Sequence, residues 1–146
     1  MIIAFDTNIL VYASDGKAGQ KHQQASALLA AVGRRAAGFV PMQTIGEFHN
    51  VAGRKLGLTQ ADAREFIRRL LRVFDSDAYG EADVAAASEA VDRHHLSFWD
   101  ALIWAVCKRA GVDILATEDF QDGRKLGRVR FVDPFRPANA ALLGLA

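Results

Sequence analysis

The chain has 146 residues, 51% of them hydrophobic and 24% charged, with a formal net charge of +1. A single globular domain spanning residues 1–146 is expected at this length, and the hydrophobicity and near-zero net charge exclude a disordered chain. The one cysteine, Cys107, excludes an intramolecular disulfide and a Cys-rich zinc cluster.

Residues 2–5, Ile-Ile-Ala-Phe, form a continuous apolar run ending in Asp6-Thr7-Asn8. This reads as a strand buried on both faces and followed by a turn or helix start. Residues 21–33 are rich in Ala, Leu and Gln and predict a helix stopped at Gly33. A second short strand is predicted over 38–42, with Pro41 near its end interrupting the ladder. Thr44 opens a predicted helix to about Lys55, and Thr59-Gln-Ala-Asp62 is a capping-box signature for another that runs to about Leu71. Val73-Phe74 reads as a minor strand, and residues 81–94 as an Ala-rich helix. Ser97 caps a further helix to about Ala110, stopped by Gly111. Strands follow over 114–117 and 129–132, the last closed by Pro134. Strands alternating with helices predict an α/β protein, a mainly parallel sheet with helices on both faces.

Charge is segregated along the chain. Residues 34–72 carry eight basic against three acidic side chains, and residues 75–100 carry one basic against seven acidic. Such blocks most simply describe solvated helix faces, and the chain is not a uniformly basic nucleic-acid binder. No uncharged run approaches the roughly 18 residues of a membrane span. The start, Met1-Ile2-Ile3-Ala4-Phe5-Asp6, lacks the basic segment of a secretory signal, so a soluble cytoplasmic protein is expected.

In open α/β sheets ligands bind beyond the carboxyl ends of the strands, where strand order reverses. Four acids meet that condition. Asp6 ends the first strand, Glu47 and Asp100 sit in the first turns of predicted helices, and Asp119 follows the strand at 114–117. Each also has an ordinary structural reading. Asp6 can cap the next helix, Thr44…Glu47 and Ser97…Asp100 both fit the capping box, and Asp119 fits a turn. Asp100 resists dismissal because it is the only charge in Leu96–Cys107, a helix whose all-round apolar character predicts burial. A buried carboxylate needs a partner, a hydrogen bond, a metal or a proton. Acids brought together repel unless a cation intervenes. Oxygen-only donors suit Mg²⁺ or Mn²⁺, and such a site implies hydrolysis of a phosphate ester.

Phe5-Asp6-Thr7-Asn8-Ile9-Leu10, Glu47, Leu96-Ser97-Phe98-Trp99-Asp100-Ala101-Leu102-Ile103 and Leu115-Ala116-Thr117-Glu118-Asp119-Phe120 occur in this order, with Gln121-Asp122-Gly123 after them. With these motifs the chain resembles a PIN-domain ribonuclease, and in particular a VapC-type toxin of a bacterial toxin–antitoxin pair. The likeness runs from Ile2 to about Phe135. It implies a three-layer α/β/α sandwich with a five-stranded parallel sheet, and an Mg²⁺- or Mn²⁺-dependent acidic site that cleaves RNA. By motif, Asp6, Glu47, Asp100 and Asp119 are the implied acidic set, with Asp6 and Asp100 the direct ligands. Thr7, Asn8 and Thr117 are the implied supporting polar residues; Asp122 is an extra acid without an assigned role. The likeness also implies a homodimer and an inhibitory antitoxin partner.

Two other readings compete. A HAD-like phosphohydrolase also places Asp after its first strand but wants a second Asp two residues on, where this chain has Asn8. A non-cutting RNA- or partner-binding module would use the same groove. His22, His49, His94 and His95 lack zinc spacing, and neither a P-loop nor a dinucleotide fingerprint occurs. Cys107, Phe98, Trp99 and Trp104 are expected in the core or, for the aromatics, at a dimer contact, because base-stacking residues normally line an exposed groove. Arg124, Lys125, Arg128 and Arg130 suit either solubility or contact with RNA backbone or antitoxin.

Overall fold

The protein is described by a computed structural model over residues 1–145. Its elements, in order, are β1 (Ile3–Phe5), α1 (Thr7–Ser14), α2 (Gln20–Arg34), β2 (Gly38–Pro41), α3 (Met42–Lys55), α4 (Gln60–Val73), β3 (Asp75–Asp77), α5 (Glu81–His94), α6 (Phe98–Arg109), β4 (Ile114–Ala116), β5 (Lys125–Leu126) and β6 (Val129–Val132). A short 3₁₀ turn, Pro137–Asn139, follows.

The strands form one six-stranded sheet in the order β3-β2-β1-β4-β6-β5. All neighbours pair in parallel except β5 and β6. The expected α/β class and parallel sheet are therefore present, with six strands where the resemblance implied five. The added strand is β5, a two-residue edge strand whose sequence, Lys-Leu, carries no alternation to announce it.

Because side chains alternate across a strand, the sheet divides its apolar residues between two cores. Ile3, Phe5, Val40, Ile114, Ala116 and Val132 face the helices α1 to α4, packing on Ile9, Leu28, Phe48 and Leu70. Ala4, Phe39, Leu115 and Phe131 face α5 and α6, packing on Ala87, Leu102 and Val106. Helices thus cover both faces, as three layers. Among the described residues, no helix is long and apolar enough to cross a membrane.

Several expected boundaries move. Gly33 lies inside α2, not beyond it. A Cβ there would meet the Val73 side chain of α4, its Cγ1 at 2.9 Å. The helix ends one residue later, and Ala36 takes the left-handed conformation, φ 49°. The minor strand expected at Val73-Phe74 is displaced to β3, because Val73 completes α4 and Phe74 caps it, stacking at 5.2 Å on Phe5. Helix α3 starts at Met42 rather than Thr44; the buried Thr44 hydroxyl donates to the Pro41 carbonyl at 2.7 Å. The cap at Thr59 forms as expected, its hydroxyl accepting from Asp62 N–H at 3.1 Å.

Part of the acidic block at 75–100 is structural. Asp83 is buried, 3% exposed, and accepts from Gly80 N–H at the start of α5 and from Arg109 at the end of α6. Arg109 also pairs with Asp77 at 2.7 Å, tying β3, α5 and α6 together. The guanidinium holds the Asp83 carboxyl below its ordinary value, with a smaller contribution from the Gly80 N–H. A depressed carboxylate stabilises the fold fully above its unfolded value, near 3.9, and loses that contribution as pH falls through its native value. Asp83→Ala should therefore lower the melting temperature at pH 7, by roughly 5 °C. Thermal scans of both proteins from pH 7 downward should show the gap narrowing only below about pH 4. A gap that stays constant down to pH 2 would contradict this role for the ion pair.

Candidate functional site

The chain leaves β1 toward β2 on one side of the sheet and returns to β4 on the other, so strand order reverses between β1 and β4. Their carboxyl ends are in register, Phe5 beside Ala116. The backbone N–H of Asp6 donates to the Ala116 carbonyl at 3.0 Å, which fixes Asp6 beside Thr117 at the crevice.

Asp6 is 4% exposed and is the N-cap of α1. Its Oδ1 accepts from Thr7 N–H at 2.7 Å and its Oδ2 from the Thr117 hydroxyl at 2.7 Å. Despite these bonds its pKa is pushed up to about 6, first by burial and then by the negative charges of Asp119 and Asp100. The capping reading of Asp6 is thus correct.

Glu47 lies in the second turn of α3, because that helix begins two residues earlier than expected. Its presumed cap partner, Thr44, is turned to Pro41, so no Thr44–Glu47 capping box forms. Glu47 instead accepts from the Thr7 hydroxyl at 2.5 Å and from Gln43 Nε2 at 2.8 Å. Asp119 accepts from Asn8 Nδ2 at 2.9 Å, and its own N–H donates to the Thr117 hydroxyl at 3.1 Å. The three polar residues picked out by motif each hold one of the acids.

Asp100 departs from expectation. The apolar run is buried from Ala101 to Cys107, but Asp100 itself, in the first turn of α6, is only half-buried. The Ser97 hydroxyl accepts from Asp100 N–H at 3.2 Å, which caps the helix. Burial raises the Asp100 pKa, opposed by Ser97 and reinforced by the charges of Asp119 and Glu47. Asp6, not Asp100, is the acid whose burial is nearly complete.

The acids are therefore coupled by charge, Asp6 with Asp119 and Asp100, and Asp100 with Asp119 and Glu47. None of the ion pairs among the described residues involves any of them. Two of the side chains that hold these acids, Asn8 and Gln43, also carry amide oxygens, Asn8 Oδ1 and Gln43 Oε1, that are buried without a hydrogen-bond partner. The acids are also not gathered into a closed cage: among the described residues, no three His, Cys, Asp or Glu side chains cluster tightly enough to hold an ion by themselves. An open set of oxygen donors suits Mg²⁺, which keeps several waters and takes one or two carboxylates.

The model of the PIN domain family matches residues 3–127. The chain belongs to the PIN domain family. Solved structures share the PIN fold at low sequence identity. VapC20 of Mycobacterium tuberculosis, described as a sarcin–ricin loop cleaving toxin, aligns at 20% identity and TM-score 0.66, covering 88% of this chain and 98% of that one. A toxin–antitoxin complex from Klebsiella pneumoniae aligns at 20% identity and TM-score 0.64, covering 91% and 98%. VapBC2 of Rickettsia felis, bound to a DNA fragment from its promoter, aligns at 14% identity and TM-score 0.64, covering 90% and 97%. No curated protein matches the sequence.

Within this PIN domain, Asp122 has a structural task. Its Oδ1 accepts from Asp133 N–H at 2.8 Å and from Asn139 Nδ2 at 3.0 Å, pinning the turn after β6. Two polar groups near the acids escaped the sequence reading. Gln43 holds Glu47 and also donates to the Trp99 carbonyl at 3.2 Å; its i,i+4 spacing to Glu47 was the available signal. Glu118, beside Asp119, accepts from the Tyr12 hydroxyl and from Lys21 Nζ, both at 2.6 Å, and so clamps the loop after β4 to α1 and α2. Nothing local in the sequence marked that contact, which spans more than 90 residues. Cys107 is buried as expected, and burial pushes its thiol well above the ordinary range, so it is not a reactive group.

Proposed function

We propose that this PIN domain is a divalent-metal-dependent endoribonuclease acting as the toxin of a bacterial toxin–antitoxin pair. The observation that carries the reading is the mutual placement of Asp6, Glu47, Asp100 and Asp119 around one groove without a neutralising Lys or Arg. Asp6 and Asp100 are the residues proposed to hold Mg²⁺ or Mn²⁺, with Glu47 and Asp119 completing the field through water or at a second ion. A divalent cation there supplies Lewis-acid stabilisation of phosphate oxygens and lowers the pKa of water.

The chain's own residues supply the rest. Thr117 and the Thr7 N–H orient Asp6, Thr7 and Gln43 orient Glu47, and Asn8 orients Asp119. The reaction proposed is in-line attack of water on phosphorus with loss of the 3′ oxygen, leaving a 5′ phosphate and a 3′ hydroxyl. Nothing in that chemistry uses the ribose 2′-OH. The choice of RNA is supported by the shared fold with VapC20, described as cleaving the sarcin–ricin loop.

An antitoxin partner is supported by the two toxin–antitoxin complexes of the same fold. The molecule also exposes an apolar groove of about 500 Å³ between α2 and α4, lined by Leu29, Phe66, Leu70 and Val73 and edged by Arg34 and Arg69. An apolar segment carrying acidic residues would match both features. The absence of an Asp two residues after Asp6 weighs against the HAD-like alternative: Asn8 donates to Asp119 where that reading wants a carboxylate.

The deciding experiment incubates the purified protein, free of any antitoxin, with structured RNA and Mn²⁺ or Mg²⁺, with and without EDTA. Cutting is expected only with metal and only in the wild type. Binding without cutting of any RNA would favour a non-catalytic module. Thr117→Val, which removes the hydroxyl shared by Asp6 and Asp119, should reduce cleavage by about 10–100-fold with the fold retained, a usual size for residues that orient ligands. Unchanged cleavage with Thr117→Val would show that Asp6 needs no such orientation.

A further inference from the structure

The aromatic at 99 was expected in the core or at a dimer contact, and the structure removes the first reading. Trp99 is 59% exposed, against 6% for Trp104, whose indole N–H donates to the Leu126 carbonyl at 3.2 Å. Among the described residues the Trp99 indole N–H donates to no protein acceptor, and the ring's aromatic neighbour is Phe98, edge-on at 5.3 Å. An exposed indole keeps an apolar face and a free N–H donor available to a ligand.

Trp99 immediately precedes Asp100 in the first turn of α6. Its carbonyl is held by Gln43, the same side chain that holds Glu47, so its backbone is anchored directly to the acidic groove. Met42, 38% exposed, begins the adjoining helix. Base-stacking residues are exposed beside the site they serve, and Trp99 is exposed one position from Asp100. The acids attract no phosphate by themselves, so contacts to the bases add affinity that the carboxylates do not supply. An aromatic face provides that, since base stacking tolerates any sequence.

We infer that Trp99 is a stacking platform for an unpaired base next to the scissile phosphate, making it a determinant of single-stranded or looped substrate. The inference rests on the nuclease reading above. It also carries its own readout, because Trp104 is buried and Trp99 is the one exposed tryptophan of the two in the chain.

The test uses the full chain, metal-free in EDTA, titrated with a 12-nucleotide single-stranded RNA and with the same sequence as a duplex. The single strand should quench tryptophan fluorescence, and the duplex should do so far less. Trp99→Ala should abolish the quenching and raise KM for cleavage about tenfold with little change in kcat, and Trp99→Phe should recover most of that loss. If the wild type cuts RNA while Trp99→Ala has an unchanged KM and no quenching is seen, the inference fails and the nuclease reading stands. Quenching that disappears in Trp99→Ala, in a protein that cuts no RNA, would show a non-cutting RNA-binding face and overturn the inference together with the nuclease reading. A blue shift that grows with protein concentration alone, lost with self-association in Trp99→Ala, would overturn the inference in favour of a contact with a second copy.

Discussion

Asp6→Asn and Asp100→Asn should each reduce RNA cleavage by on the order of a thousandfold, the larger side of what removal of a direct ligand does, compared with about 10–100-fold for an orienting residue. That loss corresponds to about 4 kcal/mol of transition-state stabilisation. Asp6 cannot move away from the crevice, because both of its carboxylate oxygens are engaged and its N–H is part of the β1–β4 ladder. Asp100 is held by the cap at Ser97 and by burial of the rest of α6. Asparagine preserves shape at both positions and removes the charge; at Asp6 its amide also replaces one of the two accepting oxygens with a donor. The check is a single-turnover cleavage assay with saturating Mn²⁺, alongside circular dichroism to show an intact fold. Retention of more than a tenth of wild-type cleavage in both variants would remove these two carboxylates from the proposed metal site.

The second large effect is on stability. Metal-free, the fold keeps Asp6 desolvated among other acids, which is the cause of its raised pKa. A divalent ion that binds this native cluster, as proposed, and not the unfolded chain should stabilise by mass action, about 2.7 kcal/mol at a hundred times its Kd. For a domain of this size that is a rise of roughly 5–10 °C in melting temperature. Asp6→Asn should behave in the opposite way: more heat-resistant than the wild type in EDTA, and insensitive to added Mg²⁺ or Mn²⁺. Differential scanning calorimetry with and without millimolar metal separates the two. Identical melting temperatures for the wild type in EDTA and in Mn²⁺ would mean that the acids repel without holding an ion. Such a trade of stability for function is common at charged sites.

The element pattern was largely legible along the chain. The caps at Thr59 and Ser97 announced α4 and α6, and the short apolar runs ending at Phe5 and Ala116 marked the two central strands. Those signals are local, set by which side chain can satisfy a helix's first N–H groups and which residues can be buried on both faces. Where local signals competed with packing, packing prevailed. Gly33 stayed inside α2, beside the Val73 side chain of α4, and Thr44 turned away from Glu47 to bond Pro41.

The rule for open sheets and the order of the motifs both singled out Asp6, Glu47, Asp100 and Asp119, two after strands and two in the first turns of predicted helices. Only the folded chain decided how they stand to one another. The pairing of β1 with β4 brings Asp6 against Thr117, 111 residues away. Burial then falls on Asp6 rather than Asp100, and Trp99 emerges into solvent beside the groove. Periodicity reports which face of an element is apolar, whereas exposure and charge coupling depend on what every other element places opposite it.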